Sequence, residues 1–278
     1  MNSKHKEIIK HACENLLYNY YIDCKELSTD KPSAIKDRYY TLCDDLQRLI
    51  PVQVVGKENL ILSDNTIIAA NHIQTPYIFE ITNLDKLEKM GIKEEDMPFF
   101  PHRKLRPNEV RQYVLVNLAR EINRNPRIVS FKKSQSMNKI FKNSGFILIP
   151  KDSTHRTDYL IESIKDLSAN DTPIIFPEGR DSEGYLEYNE YYLMRFRKGT
   201  AVISKTLNIP IQPISLVFDT QSMSYTVVIS PRIEKQKISD LSAEELIQHV
   251  QDVIIQGIKT EKPKALVQIN EHSIFDYL

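Results

Sequence analysis

Apolar positions in residues 1–50 recur with a helical period. Ile8, Ile9, Ala12, Leu16 and Leu17 fall three and four apart, and Ser33 to Ile50 behaves similarly after the breaker Lys31-Pro32-Ser33. Pro51 ends the pattern, because the residue before a proline is pushed out of the helical region. From residue 52 the pattern changes to short β-branched runs separated by longer polar–apolar segments. The runs predict strands at Val52–Val55, Thr66–Ala70, Pro98–Phe100, Phe146–Ile149, Pro173–Phe176, Ile211–Phe218 and Tyr225–Ile229. Helical periodicity predicts helices over 107–124, 133–144, 155–168 and 193–206, and Ser242 before Glu244-Glu245 opens another that runs to about Ile258. This alternation predicts an α/β fold, a mixed sheet covered by helices. The expected organisation is an N-terminal helical segment, 1–50, followed by an α/β domain over 51–278 with a C-terminal helix. The tail from Lys262 carries no clear period.

Composition narrows the function classes. The chain has 278 residues, 41% hydrophobic and 27% charged, which excludes wholesale disorder and fibrous repeats. Lys+Arg and Asp+Glu both number 37, so the formal net charge is zero and no global field favours nucleic acid. Cys13, Cys24 and Cys43 are an odd number without a C-x-x-C pair, which argues for reduced thiols rather than a disulfide framework. The N-terminus MNSKHKEIIKH has no apolar signal region, and no apolar run approaches the ~20 residues that span a bilayer. The expectation is a cytoplasmic protein that touches a membrane at most from its surface.

Two segments carry chemistry. Ile67 to Ala70 ends in Asn71-His72, and Pro173 to Phe176 ends in Pro177-Glu178-Gly179-Arg180. In open α/β sheets ligands bind outside the carboxyl ends of strands. A histidine there can act as a general base near neutral pH. Glycine permits close backbone approach, and arginine offers a planar fork for phosphate or carboxylate. No H-E-x-x-H, C-x-x-C or G-x-G-x-x-G is present, so neither a metal nor a dinucleotide site is expected.

Together these segments resemble the glycerolipid acyltransferase superfamily, typified by glycerol-phosphate and lysophosphatidate acyltransferases. Asn71-His72 is similar to the family's first block, N-H-x4-D, and Phe176-Pro177-Glu178-Gly179-Arg180 to the third, F-P-E-G-T-R-S. Gly145 to Lys151 resembles the second block, G-x-x-F-I-x-R, with Lys151 at the arginine position. Phe196-Arg197-Lys198-Gly199 resembles F-K-K-G, and Ile209 to Ile214 the fourth block, V-P-I-x-P-V. The resemblance covers roughly residues 50–235.

It implies transfer of a fatty acyl group from an acyl-carrier-protein or coenzyme A thioester to a hydroxyl, with no cofactor beyond the thioester co-substrate. His72 would be the general base, and Glu178 would organise the acceptor pocket. Gly179 would let the acceptor approach, while Lys151 and Arg180 would hold its phosphate. The substrate-binding set extends to Asn71, Tyr77 and Lys198. Two positions depart from the pattern. Tyr77 stands at the family's aspartate, and Arg180 directly follows Gly179 where the family has an intervening threonine. In serine proteases, replacing the analogous aspartate with asparagine costs roughly ten-thousand-fold in turnover. Three explanations stay open for Tyr77: another carboxylate such as Glu80 takes the role, the acceptor is an amine that tolerates a weaker base, or the protein binds acyl or phospholipid ligands without turnover.

Between Ile122 and Lys151 there is no acidic residue, yet Arg124, Arg127, Lys132, Lys133, Lys139, Lys142 and Lys151 are present, and His102 to Arg106 extends the run. This local field suits an anionic membrane surface, an acidic carrier protein or the phosphates of coenzyme A, and equally a solvated helix face. Nucleic acid is not expected, since no binding motif accompanies the charge. Tyr185, Tyr188, Tyr191, Tyr192, Leu193, Met194 and Phe196 suit either plain core or the wall of an acyl groove.

Overall fold

The computed structural model describes residues 3–27, 31–60, 65–72, 112–131, 135–150, 154–179, 190–219, 221–262 and 266–270. Two long helices open the chain, α1 (Ser3–Glu26) and α2 (Pro32–Leu49). Proline at the first turn of α2 costs nothing, because that N–H would have no intrahelical partner. Its apolar positions Ile35, Tyr39, Leu42, Cys43 and Leu46 form one buried stripe.

Seven strands follow in one sheet: β1 (Val52–Val55), β2 (Ile67–Ala70), β3 (Asn125–Phe131), β4 (Ile147–Ile149), β5 (Asp171–Ile175), β7 (Ile211–Asp219) and β8 (Ser224–Ile229). Their order is β1-β8-β7-β2-β5-β3-β4. All neighbours are parallel except the β7–β8 hairpin, so the sheet is mixed, as expected. A separate parallel pair joins β6 (Glu190–Met194) to β9 (Leu266–Asn270). The connecting helices are α3 (Tyr113–Glu121), α4 (Gln135–Asn143), α5 (Arg156–Lys165), α6 (Gly199–Leu207), α7 (Lys235–Asp240) and α8 (Ala243–Glu261). Ser242 and Glu245 close a reciprocal capping box at the start of α8, as the sequence predicts.

Side chains alternate across a strand, and β2 shows it clearly. Ile68 and Ala70 face a core shared with α1, α2, α3 and α4, whereas Ile67 and Ala69 face α5, α6 and α8. The N-terminal helical segment therefore covers one face of the sheet. Cys13, Cys24 and Cys43 are buried in its core as free thiols. Burial pushes Cys13 and Cys24 up to about 12 and Cys43 higher still, because the thiolate would be desolvated.

Three elements differ from the periodicity. Residues 193 and 194, expected to open a helix, end β6 instead, and the helix starts at Gly199. The run Asn125–Phe131 is strand β3, although its charge makes it read as part of a basic stretch. The tail supplies β9. The expected strand Pro98–Phe100 lies outside the described residues.

Candidate active site

Strand β2 sits at the centre of the sheet, between β7 and β5. The helices that precede the next strand on each side, α3 after β2 and α6 after β5, belong to cores on opposite faces. Connections that diverge in this way open a crevice at the carboxyl ends of the two strands. Asn71-His72 and the turn from Phe176 to Gly179 both leave the sheet there.

The first of these residues extends the ladder with its side chain. The last backbone pair between β2 and β7 is Ala70 with Ile214. Beyond it, the N–H of Leu216 donates to Asn71 Oδ1 at 2.7 Å, and Asn71 Nδ2 donates to the Leu216 carbonyl at 2.9 Å. The amide orientation follows from the partners, since a backbone N–H can only donate. Asn71 is buried, so this clasp fixes where the chain departs from the sheet.

His72 is tied down by the next bond. Its main-chain N–H donates to Glu178 Oε1 at 2.5 Å, across 106 positions of sequence. The imidazole packs edge-on to Phe176, with ring centroids 5.0 Å apart and planes at 66°. His72 is nearly buried. Glu178 is 1% exposed, and its second oxygen accepts the main-chain N–H of Met194 at 3.0 Å. A carboxylate so deep in a fold needs donors for its lone pairs, and here main-chain amides from two distant segments supply them. Glu178 thus joins the end of β2 to the end of β6.

The turn itself closes through the Gly179 N–H, which donates to the Phe176 carbonyl at 3.1 Å. Gly179 adopts φ +69°, a left-handed conformation that side chains disfavour. Downstream, the N–H of Phe196 donates to Gln251 Oε1 of α8 at 2.9 Å, and the N–H of Arg197 to the Pro177 carbonyl at 2.8 Å. The side chain of Arg197 crosses the bare face of Gly179.

Of the residues singled out in the sequence, the structure brings together Asn71, His72, Glu178 and Gly179. Lys198 is placed elsewhere: its ammonium meets Glu244 at the start of α8 at 3.1 Å, both groups largely exposed. That hydrogen bond holds the Glu244 carboxyl below its usual range. Tyr77, Glu80, Lys151 and Arg180 lie outside the described residues, as do Tyr185, Tyr188, Lys132, Lys133 and the run from His102 to Arg106. Arg124, part of the basic stretch, binds Thr172 Oγ1 at 3.0 Å and the Asp171 carbonyl at 3.2 Å. It braces the amino ends of β3 and β5, the opposite end of the sheet from His72. Leu193, Met194 and Phe196 of the aromatic stretch are buried core.

Sequence reasoning did not reach Arg197 or Gln251 as parts of this site. The F-R-K-G run did contain a signal, but its two cations cannot be told apart without the turn they flank. Gln251 carried no signal beyond being polar at a position of α8 that faces inward.

Chemically, the crevice offers an imidazole beside a turn whose conformation is set by a buried carboxylate and a left-handed glycine. Such an imidazole can take a proton from an incoming hydroxyl. Among the described residues no three His, Cys, Asp or Glu side chains converge in a way that would hold a metal ion.

Residues 113–217 match the family model described as Acyltransferase. The matched stretch contains Glu178, Gly179, Arg197 and Lys198 and begins after His72. A solved structure similar to this chain is that of the 1-acyl-sn-glycerophosphate (LPA) acyltransferase, PlsC, from Thermotoga maritima, at 15% identity, 94% coverage of this chain, 95% of that chain and a TM-score of 0.46. No curated protein matches the chain. Over residues 113–217, from α3 into β7, the chain is therefore similar to the family described as Acyltransferase.

Proposed function

We propose that this chain is an acyltransferase that moves a fatty acyl group from an acyl-carrier-protein or coenzyme A thioester to a hydroxyl of a phosphate-bearing acceptor, such as glycerol phosphate or a lysophospholipid. The observation that carries the proposal is the tie between His72 and Glu178 at the adjoining ends of β2 and β5. His72 takes the hydroxyl proton as the oxygen attacks the thioester carbonyl. The new C–O bond forms, the C–S bond breaks, and the proton passes to the departing thiolate. Attack is direct, without an acyl-enzyme: the three cysteines are buried in or against the N-terminal helices and lack thiolate character.

Lys151 and Arg180 are the phosphate ligands in this reading, with Tyr77 on the substrate side, while Asn71 positions His72 through its clasp on Leu216. The thioester serves as co-substrate and no further cofactor takes part. No helix among the described residues is long and apolar enough to cross a membrane. The proposed location is cytoplasmic, with the basic stretch meeting the carrier or an anionic membrane surface from one side.

The test is release of free thiol from palmitoyl-carrier-protein or palmitoyl-coenzyme A in the presence of glycerol 3-phosphate or 1-acylglycerol 3-phosphate. Turnover by the purified chain, lost in His72→Ala, supports the proposal; turnover unchanged in His72→Ala refutes the assigned base. A second reading, a ligand-binding protein without turnover, is favoured by Tyr77 at the aspartate position. Tyr77→Asp separates the two. A large rate gain marks a weakened catalyst, and no product from either form marks a binder.

A further inference from the structure

The Glu178 carboxylate is gripped from two sides that differ in strength. Its Oε1 accepts from His72 at the end of β2, a strand locked between β5 and β7. Its Oε2 accepts from Met194, the last residue of β6. β6 lies outside the seven-stranded sheet, and among the described residues its strand partner is β9. A lone pair of short strands is marginal in water. Here it is helped by Leu193, buried in the core that holds Ala69 and Phe196, and by Val267, packed against that core.

The register identifies the amides of β9 that do the holding. Successive residues of a strand turn their main-chain groups to opposite edges, and a parallel partner is addressed by every second residue. The Met194 N–H points at Glu178, so Tyr191 and Leu193 turn theirs to β9. Tyr191 stands opposite Val267 and Leu193 opposite Ile269, so the donors that β9 turns to β6 are those of Gln268 and Asn270. The N–H groups of Val267 and Ile269 face away. β6 is thus bonded to β9 along one edge and to Glu178 along the other, and the series runs on to the N–H of His72.

We propose that β9 is a positioning strap for the crevice: paired with β6, it keeps the Met194 N–H on Glu178 and, through Glu178, keeps His72 aligned for proton transfer. The inference rests on the function proposed above and gives the tail of the chain a part in that reaction. When β9 undocks, β6 loses its ladder, the Met194 N–H is released from Glu178, and the base loses its alignment. Local opening costs less at a short separate pair than in the main sheet, so competence of the crevice follows this strand before the rest of the fold.

The experiment uses the full chain with Gln268→Pro, Gln268→Ala and Ile269→Pro. Gln268→Pro removes an N–H that faces β6, whereas Gln268→Ala keeps it. Ile269→Pro removes an N–H that faces away, at a side chain 42% exposed, where an edge strand tolerates proline. Thioester turnover is measured with 1-acylglycerol 3-phosphate, and amide hydrogen exchange is read residue by residue by NMR. Losing a hydrogen bond to a charged group lowers kcat by about 10- to 100-fold in Gln268→Pro, with each KM changed by about threefold or less. Exchange at Met194 and His72 rises together, while Ile68 and Ala69 in β2 keep wild-type protection. Gln268→Ala and Ile269→Pro behave as wild type. Asn270→Pro, which strips the other donor facing β6, replaces Gln268→Pro if that chain does not fold, and its results are read the same way.

Unchanged kcat in Gln268→Pro overturns the proposal, as does faster exchange at Met194 with none at His72. Equal losses in Gln268→Ala or Ile269→Pro also overturn it, because the ladder is then not what matters. So does exchange that rises throughout β2, which marks a merely structural role. If the wild-type chain turns over no acceptor, the proposed function fails and exchange alone decides for β9: a joint rise at Met194 and His72 supports the strap, and its absence overturns it.

Discussion

Asn71→Asp changes one nitrogen to oxygen and tests the clasp at the end of β2. In the wild-type chain the amide both accepts from the Leu216 N–H and donates to the Leu216 carbonyl, at 2.7 and 2.9 Å, in a place where Asn71 is 1% exposed. The introduced carboxylate can still accept, but its second oxygen faces a carbonyl oxygen. A buried polar group left without a partner costs about 1–3 kcal/mol, and here both the Leu216 carbonyl and the ionised oxygen lose theirs. A combined loss of about 3 kcal/mol lowers Tm by roughly 6–12 °C in a chain of this size. The loss depends on pH with a fixed sign. Burial and the opposing carbonyl raise the folded-state pKa of the introduced carboxyl above the ~3.9 of an unfolded chain. Its protonated form restores the donor. The variant therefore regains stability relative to wild type as pH falls from 8 toward 5, and the gap widens as pH rises through the folded-state pKa. Asn71→Ala, which restores no donor at any pH, shows a gap without this slope. Urea denaturation of the three proteins at several pH values reads both quantities. An Asn71→Asp chain as stable as wild type at pH 8, or a gap that shrinks with rising pH, would refute the assigned clasp.

Glu178→Gln keeps one acceptor but aims an NH2 group at a main-chain N–H, either that of His72 or that of Met194. The expected outcome is a loss of about 1–3 kcal/mol in urea denaturation together with slower thioester turnover. The cysteines resist modification: maleimide labelling of Cys13, Cys24 and Cys43 in the native chain proceeds only at the rate of local or global opening and becomes complete in denaturant, as mass spectrometry will read. Gly257→Ala destabilises the chain, because a methyl on α8 would overlap the Ser215 side chain, whose hydroxyl bonds the Ile254 carbonyl. A melting temperature lowered by several degrees is expected, with the acceptor KM unchanged.

Strands β1, β2, β5, β7 and β8 were legible because each is a short β-branched run bounded by turn residues, and a sheet buried on both faces demands such runs. Their shared crevice followed from the rule that parallel strands present loops at their carboxyl ends, which placed His72 and Glu178 together. β3 escaped because Asn125, Pro126 and Arg127 mask its apolar positions, and its strand character comes from pairing with β5 and β4. β6 escaped for a related reason. Tyr, Leu and Met suit helix or strand, and the partner that decides, β9, lies more than seventy positions downstream. The Asn71 clasp was invisible because asparagine at a strand end reads as a turn former whatever its amide binds. Where Lys198 goes depended on the position of α8, whose Glu244 draws the lysine away.

The contact between His72 and Glu178 has a consequence for how the protein is made. The imidazole is synthesised more than a hundred residues before the carboxylate that anchors its backbone, and the strand that pairs with β6 follows later still. A nascent chain emerging from the ribosome therefore cannot assemble a competent crevice early, and its central strand waits uncovered on one edge until β7 arrives. Slow, late-committing folding of this kind exposes apolar strands to one another between molecules. Yield during expression should therefore respond to temperature and to chaperone supply more strongly than the stability of the finished molecule would suggest.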